Sequence, residues 1–394
     1  MADLVFQIPA KTTFGLDAVN RVGMITSQYA ERAVLVTETV LNEGKAIGRV
    51  QDLLTKKGID CITFDELLTG AEDRVAAEIL SLARASQAQA VIGMGGMNVL
   101  TVARCAAVAL SEGVEIADLY EADRAPADRG KPGVGRGKAH PAAYIEIPTA
   151  VRNHFMFRDF CILTESTRKS ARIARTGTEV FKAALIDPRL SLTLSHKSAA
   201  AALLDVLLAA VEGYLSTKAN FLSDTFLLES VRVMTEAVRA VVKDSADVRA
   251  RTRAYQAGLL CALGLSTAAQ GPAAALTYAL NAQHGIPKAW IAAVLLPHIL
   301  EFHIGARPER IGKLAIALGE DVDGISAADD AAKAPRAVRR MMGQLKLSSR
   351  LRDFDLNLDD MVDVTETAAD FEMVRYSPVP LSAQDLYDLV KLAF

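Results

Sequence analysis

The chain has 394 residues, 51% of them hydrophobic and 23% charged, with a formal net charge of -3. That length holds two domains with sizeable cores, and so small a net charge excludes the broad basic field that calls for nucleic acid or a membrane surface. Cys61, Cys105, Cys161 and Cys261 are scattered along the chain, which predicts reduced thiols in a cytoplasmic protein rather than a disulfide frame or a zinc knuckle.

The N-terminal Met-Ala-Asp-Leu-Val-Phe lacks the basic start and apolar stretch of a signal peptide. Strand and helix signals then alternate. Arg32–Val36 reads as a strand, Asn42–Lys57 as a helix, Ile59–Phe64 as a strand and Glu72–Ser86 as a helix. Ala88–Ile92 reads as a third strand ending in a glycine-rich turn, followed by a helix from about Asn98 to Leu110 and a strand at Tyr144–Ile147. Strands separated by helices of this length predict a parallel, doubly wound, Rossmann-like sheet. Between Asp123 and Pro141 the pattern stops, and Arg124, Arg129, Lys131, Arg136 and Lys138 sit among glycines and prolines. That stretch reads as a basic loop, either a solvated connector or an anion-gripping lid.

From Ser198 onward only helices are expected. Ala199–Val211 is the most apolar run, but Asp205 interrupts it, so it reads as a buried core helix and not a membrane span. Ser223–Lys243 is amphipathic, and Arg251–Leu263 and Ala289–Phe302 follow. Pro188 marks the junction. The expected architecture is an α/β domain over residues 1–185 and an all-α domain over 186–394, with a ligand-binding cleft between them.

Phe6-Gln-Ile-Pro9 with Phe14-Gly15, Leu35-Val-Thr-Glu38, Ile186-Asp-Pro-Arg-Leu190, Leu295-Leu-Pro-His298 and Ser377-Pro-Val-Pro-Leu-Ser382 together resemble, in order and spacing, the iron-containing (group III) alcohol dehydrogenases, within the dehydroquinate-synthase-like fold. The resemblance implies a dinucleotide site, a divalent metal held by Asp and three His, and homo-oligomers such as dimers.

The family's Gly-Gly-Gly-Ser phosphate turn is represented by Gly95-Gly96-Met97-Asn98, with Thr101 and Arg104 beyond it. Gly95 and Gly96 let backbone N–H groups approach a pyrophosphate, Asn98 is expected to cap the helix, and Met97 to crowd a phosphate. Glu38 suits ribose hydroxyls and favours NAD over its phosphorylated form. The family's small-residue nicotinamide motif is represented by Thr149 to Met156, where Arg152, His154, Phe155 and Met156 fill space. Arg152, His154 and Arg158 read as surface and interdomain residues or as a new anion pocket.

At the implied metal positions stand Asp205, Ala209, Ala274 and Lys288, with Tyr278 at a further histidine of the family. The six histidines, His140, His154, His196, His284, His298 and His303, fall on none of them. One carboxylate does not hold a catalytic ion, so no catalytic metal is expected. Lys288 then reads as an ammonium that replaces the ion's charge and pairs with Asp205. The sharper reading makes Lys288 and Tyr278 catalytic groups. Three functions stay open: a non-catalytic or repurposed relative with a small-molecule or anionic ligand, a metal-independent NAD-dependent oxidoreductase acting on a small aldehyde, ketone or alcohol, and an assembly protein. Neither nucleic acid nor membrane is an expected partner.

Overall fold

The computed structural model describes residues 4–42, 45–65, 70–120, 142–151, 153–244 and 246–394. The basic stretch 124–140 and Arg152 lie outside them. Two compact units separate, Gln7–Thr193 and Leu194–Phe394, the second joined by the N-terminal residues up to Phe6.

The first unit holds β1 (Lys11–Phe14), α1 (Val22–Thr26), β2 (Arg32–Val36), α2 (Ala46–Thr55), β3 (Asp60–Phe64), α3 (Asp73–Ala85), β4 (Ala90–Gly95), α4 (Met97–Glu112) and β5 (Ala143–Pro148). It continues with β6 (Phe160–Glu165), β7 (Ser170–Arg175) and β8 (Phe181–Ile186). Six strands form one parallel sheet in the order β1-β8-β5-β4-β2-β3, and β6 and β7 pair separately as an antiparallel hairpin. The central strands are buried along their whole length, as β4 and β5 show. They therefore read as continuous apolar runs rather than alternations. On one face Leu35, Ile92, Ile145 and Leu185 pack with Ile47, Val50 and Leu54 of α2. On the other lie α3 and α4.

The doubly wound expectation holds. The edge strand β1, the inner strand β8 and the hairpin were not anticipated, and β4 runs on through Gly95 where a turn was expected after Ile92. Close neighbours leave little room for side chains on its glycines: a Cβ on Gly93 would lie 3.0 Å from the Tyr144 hydroxyl and 3.1 Å from Ala103 Cβ, and one on Gly95 2.7 Å from Val99 Cβ.

The second unit contains α5 (His196–Leu215), α6 (Phe221–Lys243), α7 (Val248–Leu265), α8 (Pro272–His284), α9 (Lys288–His303), α10 (Pro308–Ala317), α11 (Ala327–Gln344), α12 (Met361–Ala369) and α13 (Ala383–Leu392). By length and composition α5 could cross a membrane, yet 94% of its apolar window is buried inside the fold. It is the core helix, apolar all round because helices surround it. Ser382 caps α13 through a capping box with Asp385, which accounts for the proline turn just before it.

Leu227 of α6 fills the space left by two glycines on neighbouring helices. A Cβ on Gly264 of α7 would meet its Cγ at 2.4 Å, and one on Gly213 of α5 its Cδ1 at 2.9 Å. Gly264→Ala is expected to destabilise the protein by about 2 kcal/mol, although alanine is about 1 kcal/mol better than glycine in a helix. Combining it with Leu227→Ala should cost clearly less than the sum of the two single changes in urea unfolding. A Gly264→Ala variant more stable than the parent would show that no close approach exists.

Candidate functional site

Strand β2 has β3 on one side and β4 on the other, so the chain reverses its winding between β2 and β4. Open parallel sheets bind ligands beyond the carboxyl ends of their strands at such a point. Thr37 and Glu38 follow β2 there, Gly95 and Gly96 close β4, and Thr149 follows β5, its N–H donating to Gly95 O at 3.0 Å. Gly95 tolerates no side chain: a Cβ would lie 2.7 Å from Val99 and 2.9 Å from the Glu38 carboxylate.

The expected cap is corrected by the structure. Asn98 does not cap α4; the N-cap is Gly96, and Asn98 lies inside the first turn. The Glu38 carboxylate reaches across from β2 and accepts the Gly96 N–H at 2.8 Å, so an acid from the adjacent strand serves the helix start. Asn98 Oδ1 and Thr37 Oγ1 are buried with no hydrogen-bond partner. Two unsatisfied polar atoms beside a helix N-terminus, at the switch point of the sheet, suit the polar groups of a nucleotide. Met97, the first residue of α4, is buried.

Arg104 of α4 does work that its sequence context does not reveal. Its guanidinium donates to Phe155 O at 2.8 Å, to Arg158 O, and to Gly177 O at 2.8 Å. It thereby fixes the segment after β5. Within that segment His154, Phe155 and Met156 are buried, so of the alternatives open for His154 an exposed surface position is excluded. Arg158 stacks over the Phe160 ring at 4.7 Å.

Under the same helix lies a buried carboxyl group, Glu146. Asn153 Nδ2 donates to its Oε1. The Tyr144 hydroxyl stands 3.2 Å from Oε2 and 3.0 Å from Leu100 O. Tyr144 has one proton and two acceptors within reach. A protonated Glu146 satisfies all three groups, since it donates to the tyrosine oxygen while the tyrosine donates to Leu100. Burial raises Glu146 to about 7, against the lowering effects of the Arg104 charge and of the hydrogen bonds from Tyr144 and Asn153.

In the helical unit, Asp205 and Ala209 are one turn apart on α5, Ala274 and Tyr278 one turn apart on α8, and Lys288 opens α9; all are buried. Lys288 Nζ lies 5.5 Å from the centre of the Tyr278 ring. The four positions present one carboxylate, two methyl groups and an ammonium. That donor set does not fit a divalent ion, which needs about three anionic or imidazole ligands. Among the described residues no three His, Cys, Asp or Glu side chains group as a metal set. His298 and His303 do not substitute: His303 is held between Ile299 O at 2.9 Å and the Ser377 hydroxyl at 3.0 Å.

Glu212, two turns beyond Asp205, was also missed. Its carboxylate accepts the N–H groups of Gly271, Ala273 and Ala274 at 2.9, 2.7 and 3.1 Å. Pro272 at the first helical position has no N–H to offer. Burial raises Glu212 to about 7, the three N–H groups pull it down, and the Asp205 charge adds to the rise. The buried Cys261 thiol is likewise pushed up, first by burial and then by Asp205. The signal for Glu212 was an acid seven residues after Asp205 on an apolar helix. For Glu146 it was a lone acid in an apolar strand.

Glu146 links stability to pH. Its folded value of about 7 lies above the ordinary 4.5. The folded state therefore holds the proton more tightly, and the benefit, complete below about pH 4.5, is lost as pH rises through 7. Glu146→Gln keeps a neutral donor and acceptor in place. It should match the parent at pH 4 and exceed it by up to about 3 kcal/mol at pH 8, measured by urea unfolding across pH. Equal stability at both pH values would show that Glu146 is ionised throughout.

Sequence comparison places these geometries among known proteins. Residues 9–188 match the iron-containing alcohol dehydrogenase family, and residues 199–394 match the C-terminal domain of the same family. The 1,3-propanediol dehydrogenase of Citrobacter freundii is 24% identical over 392 residues, 99% of this chain and 98% of the relative. A crystal structure of 1,3-propanediol oxidoreductase shares the fold with a TM-score of 0.90 at 22% identity, covering 100% of both chains. The sulfoacetaldehyde reductase of Bifidobacterium kashiwanohense, solved in complex with NAD+, does so with a TM-score of 0.84 at 17% identity, covering 100% of this chain and 99% of that one. With the family matched across both units, the chain belongs to the iron-containing alcohol dehydrogenases.

Proposed function

We propose that this protein is a repurposed relative of its family that keeps the fold and has exchanged the divalent ion for the ammonium of Lys288, and with it has lost metal-dependent alcohol oxidation. The observation that carries this reading is the buried lysine at the start of α9. An ammonium there meets the positive end of the helix dipole and loses its hydration. A buried carboxylate is the compensation that makes such a placement tenable, and Asp205 is the proposed partner. An ion would have to displace the lysine and would find two methyl groups where ligands are needed.

The nucleotide end supports a second reading, a metal-independent NAD-dependent oxidoreductase of a small aldehyde, ketone or alcohol. Its support is the pair of unsatisfied atoms on Thr37 and Asn98 beside the Glu38–Gly96 contact. NAD+ bound to the sulfoacetaldehyde reductase relative is consistent with it. In that reading Lys288 would polarise a carbonyl and Tyr278 would donate a proton. An assembly role, a dimer or larger homo-oligomer, and a cytoplasmic location are carried as proposals from the resemblance and the cysteine usage.

Lys288→Met should cost about 3 kcal/mol at pH 7 by leaving a buried carboxylate uncompensated, and adding Asp205→Asn should recover most of that loss. Chain reconstituted anaerobically with Fe²⁺ or Zn²⁺ and then desalted should carry far less than one ion per chain by mass spectrometry of the metals. One ion per chain, or a Lys288→Met variant as stable as the parent, would end the proposal.

NADH titrated into the protein should enhance its fluorescence with saturation below about 1 mM, a usual range for such cofactors, and Glu38→Ala should weaken the binding several-fold. No saturation at that concentration would remove the oxidoreductase reading and leave the ion-replacement reading standing.

A further inference from the structure

Cys105 of α4 and Cys161 of β6 are 56 residues apart in sequence, yet their sulfurs stand 3.2 Å apart, both buried. Neither takes part in the nucleotide contacts or in the Lys288 region. Cys105 follows Arg104, whose guanidinium holds the segment after β5 and the turn before β8. Cys161 pairs with Ala174 in the β6–β7 hairpin, opposite a chain that continues into Arg175. The two thiols thus join the helix that follows the phosphate turn to a hairpin outside the main sheet.

We propose that Cys105 and Cys161 form a reversible disulfide when a hydroperoxide is present, clasping α4 to the hairpin. A disulfide has its sulfurs about 2.05 Å apart, so the pair must close by about 1.2 Å, a distance that side-chain rotation supplies. In the first step one thiol gives up its proton and the thiolate attacks the terminal oxygen of the hydroperoxide; the S–O bond forms, the O–O bond breaks, and the displaced oxygen takes the proton and leaves as water or an alcohol, with the cysteine now a sulfenic acid. In the second, the other thiol attacks that sulfur, the S–O bond breaks, and water leaves as the S–S bond forms. Two thiols are oxidised by two electrons and one peroxide bond is reduced. The hydrogen bond from Cys161 and burial both hold the Cys105 thiol well above its usual range, so the first step is slow and needs the hairpin to open briefly. Once closed, the bond is shielded from reductants in the same way. This inference stands apart from the proposed function.

The test uses the intact protein with hydrogen peroxide at millimolar concentration, followed by denaturation, alkylation and peptide mapping. The expected product is 2 Da lighter and carries a Cys105–Cys161 cross-linked peptide. Cys261, equally buried in the helical unit, and the half-buried Cys61 remain alkylatable. The apparent Tm of the oxidised form should rise by about 5 °C or more, since the bond closes a long loop of chain. Dithiothreitol added under native conditions should reverse the change slowly, and quickly in mild urea. Cys105→Ala and Cys161→Ala should each abolish both the cross-link and the shift. Recovery of Cys105 and Cys161 as free or over-oxidised residues, or a cross-link that forms only in denaturant, would overturn the proposal.

Discussion

Three backbone N–H groups at the start of α8 converge on the Glu212 carboxylate, and the helical unit is organised around that contact. Helix α5 is apolar on every side and buried almost end to end, yet it carries two acids. Each must find positive potential or lose its charge. For Glu212 the answer is a helix N-terminus, which offers donors and a favourable dipole without a counter-ion. That contact sets where α8 begins, and so where Ala274 and Tyr278 face. For Asp205 the resemblance implies another answer, since a family member with histidines on these helices would hold a metal there. On the proposed reading the answer here is a lysine from the next helix.

The α/β unit solves the same problem differently. Arg104 spends its donors on three carbonyl oxygens rather than on a carboxylate. The nearby Glu146 is left to a phenol and an amide, partners that a neutral carboxylic acid satisfies as well as an anion does. A buried arginine thus becomes a mainchain clamp, and a buried glutamate a hydrogen-bonding spacer whose charge state depends on pH. Burial makes both expensive to leave without these contacts.

Much of the fold was legible because its strands are short apolar runs between helices, and that pattern requires a parallel sheet. The boundaries of β2 could be read directly from Arg32–Val36, whereas β4 could not. Its glycines looked like a turn, because a sequence does not show that Tyr144 and Ala103 crowd Gly93 and that Val99 and Glu38 crowd Gly95. Strands β1 and β8 escaped notice because Lys11–Phe14 is an exposed edge and Phe181–Ile186 runs straight into the junction proline. Glu38 and Gly96 were both identified as site residues, but their direct contact was not, since it joins the ends of two strands far apart in the chain. Residue type alone points to Asn98 as the cap; an acid following the adjacent strand of the same sheet takes that role through geometry. Arg104 and Glu212 were missed for the same reason: each acts on carbonyls or N–H groups whose proximity exists only in the fold.

The two ends of the family's machinery have different physical tolerances, and the chain's departures follow them. A phosphate turn depends on backbone N–H groups and on the absence of side chains, so residues such as Met97 and Thr101 matter less to it than Gly95 and Gly96 do. A metal centre depends on the identity of its ligands, and no backbone geometry rescues an imidazole replaced by a methyl group. On the proposed reading, the loss of three ligands at once would leave a buried acid with no ion, a state more costly than either the full site or a fully apolar one. Substitution by a cationic side chain is one of few single changes that relieves that cost without remodelling α5. On that reading the lysine answers first to the stability of the helical core, and any chemistry proposed for it has to be compatible with staying there.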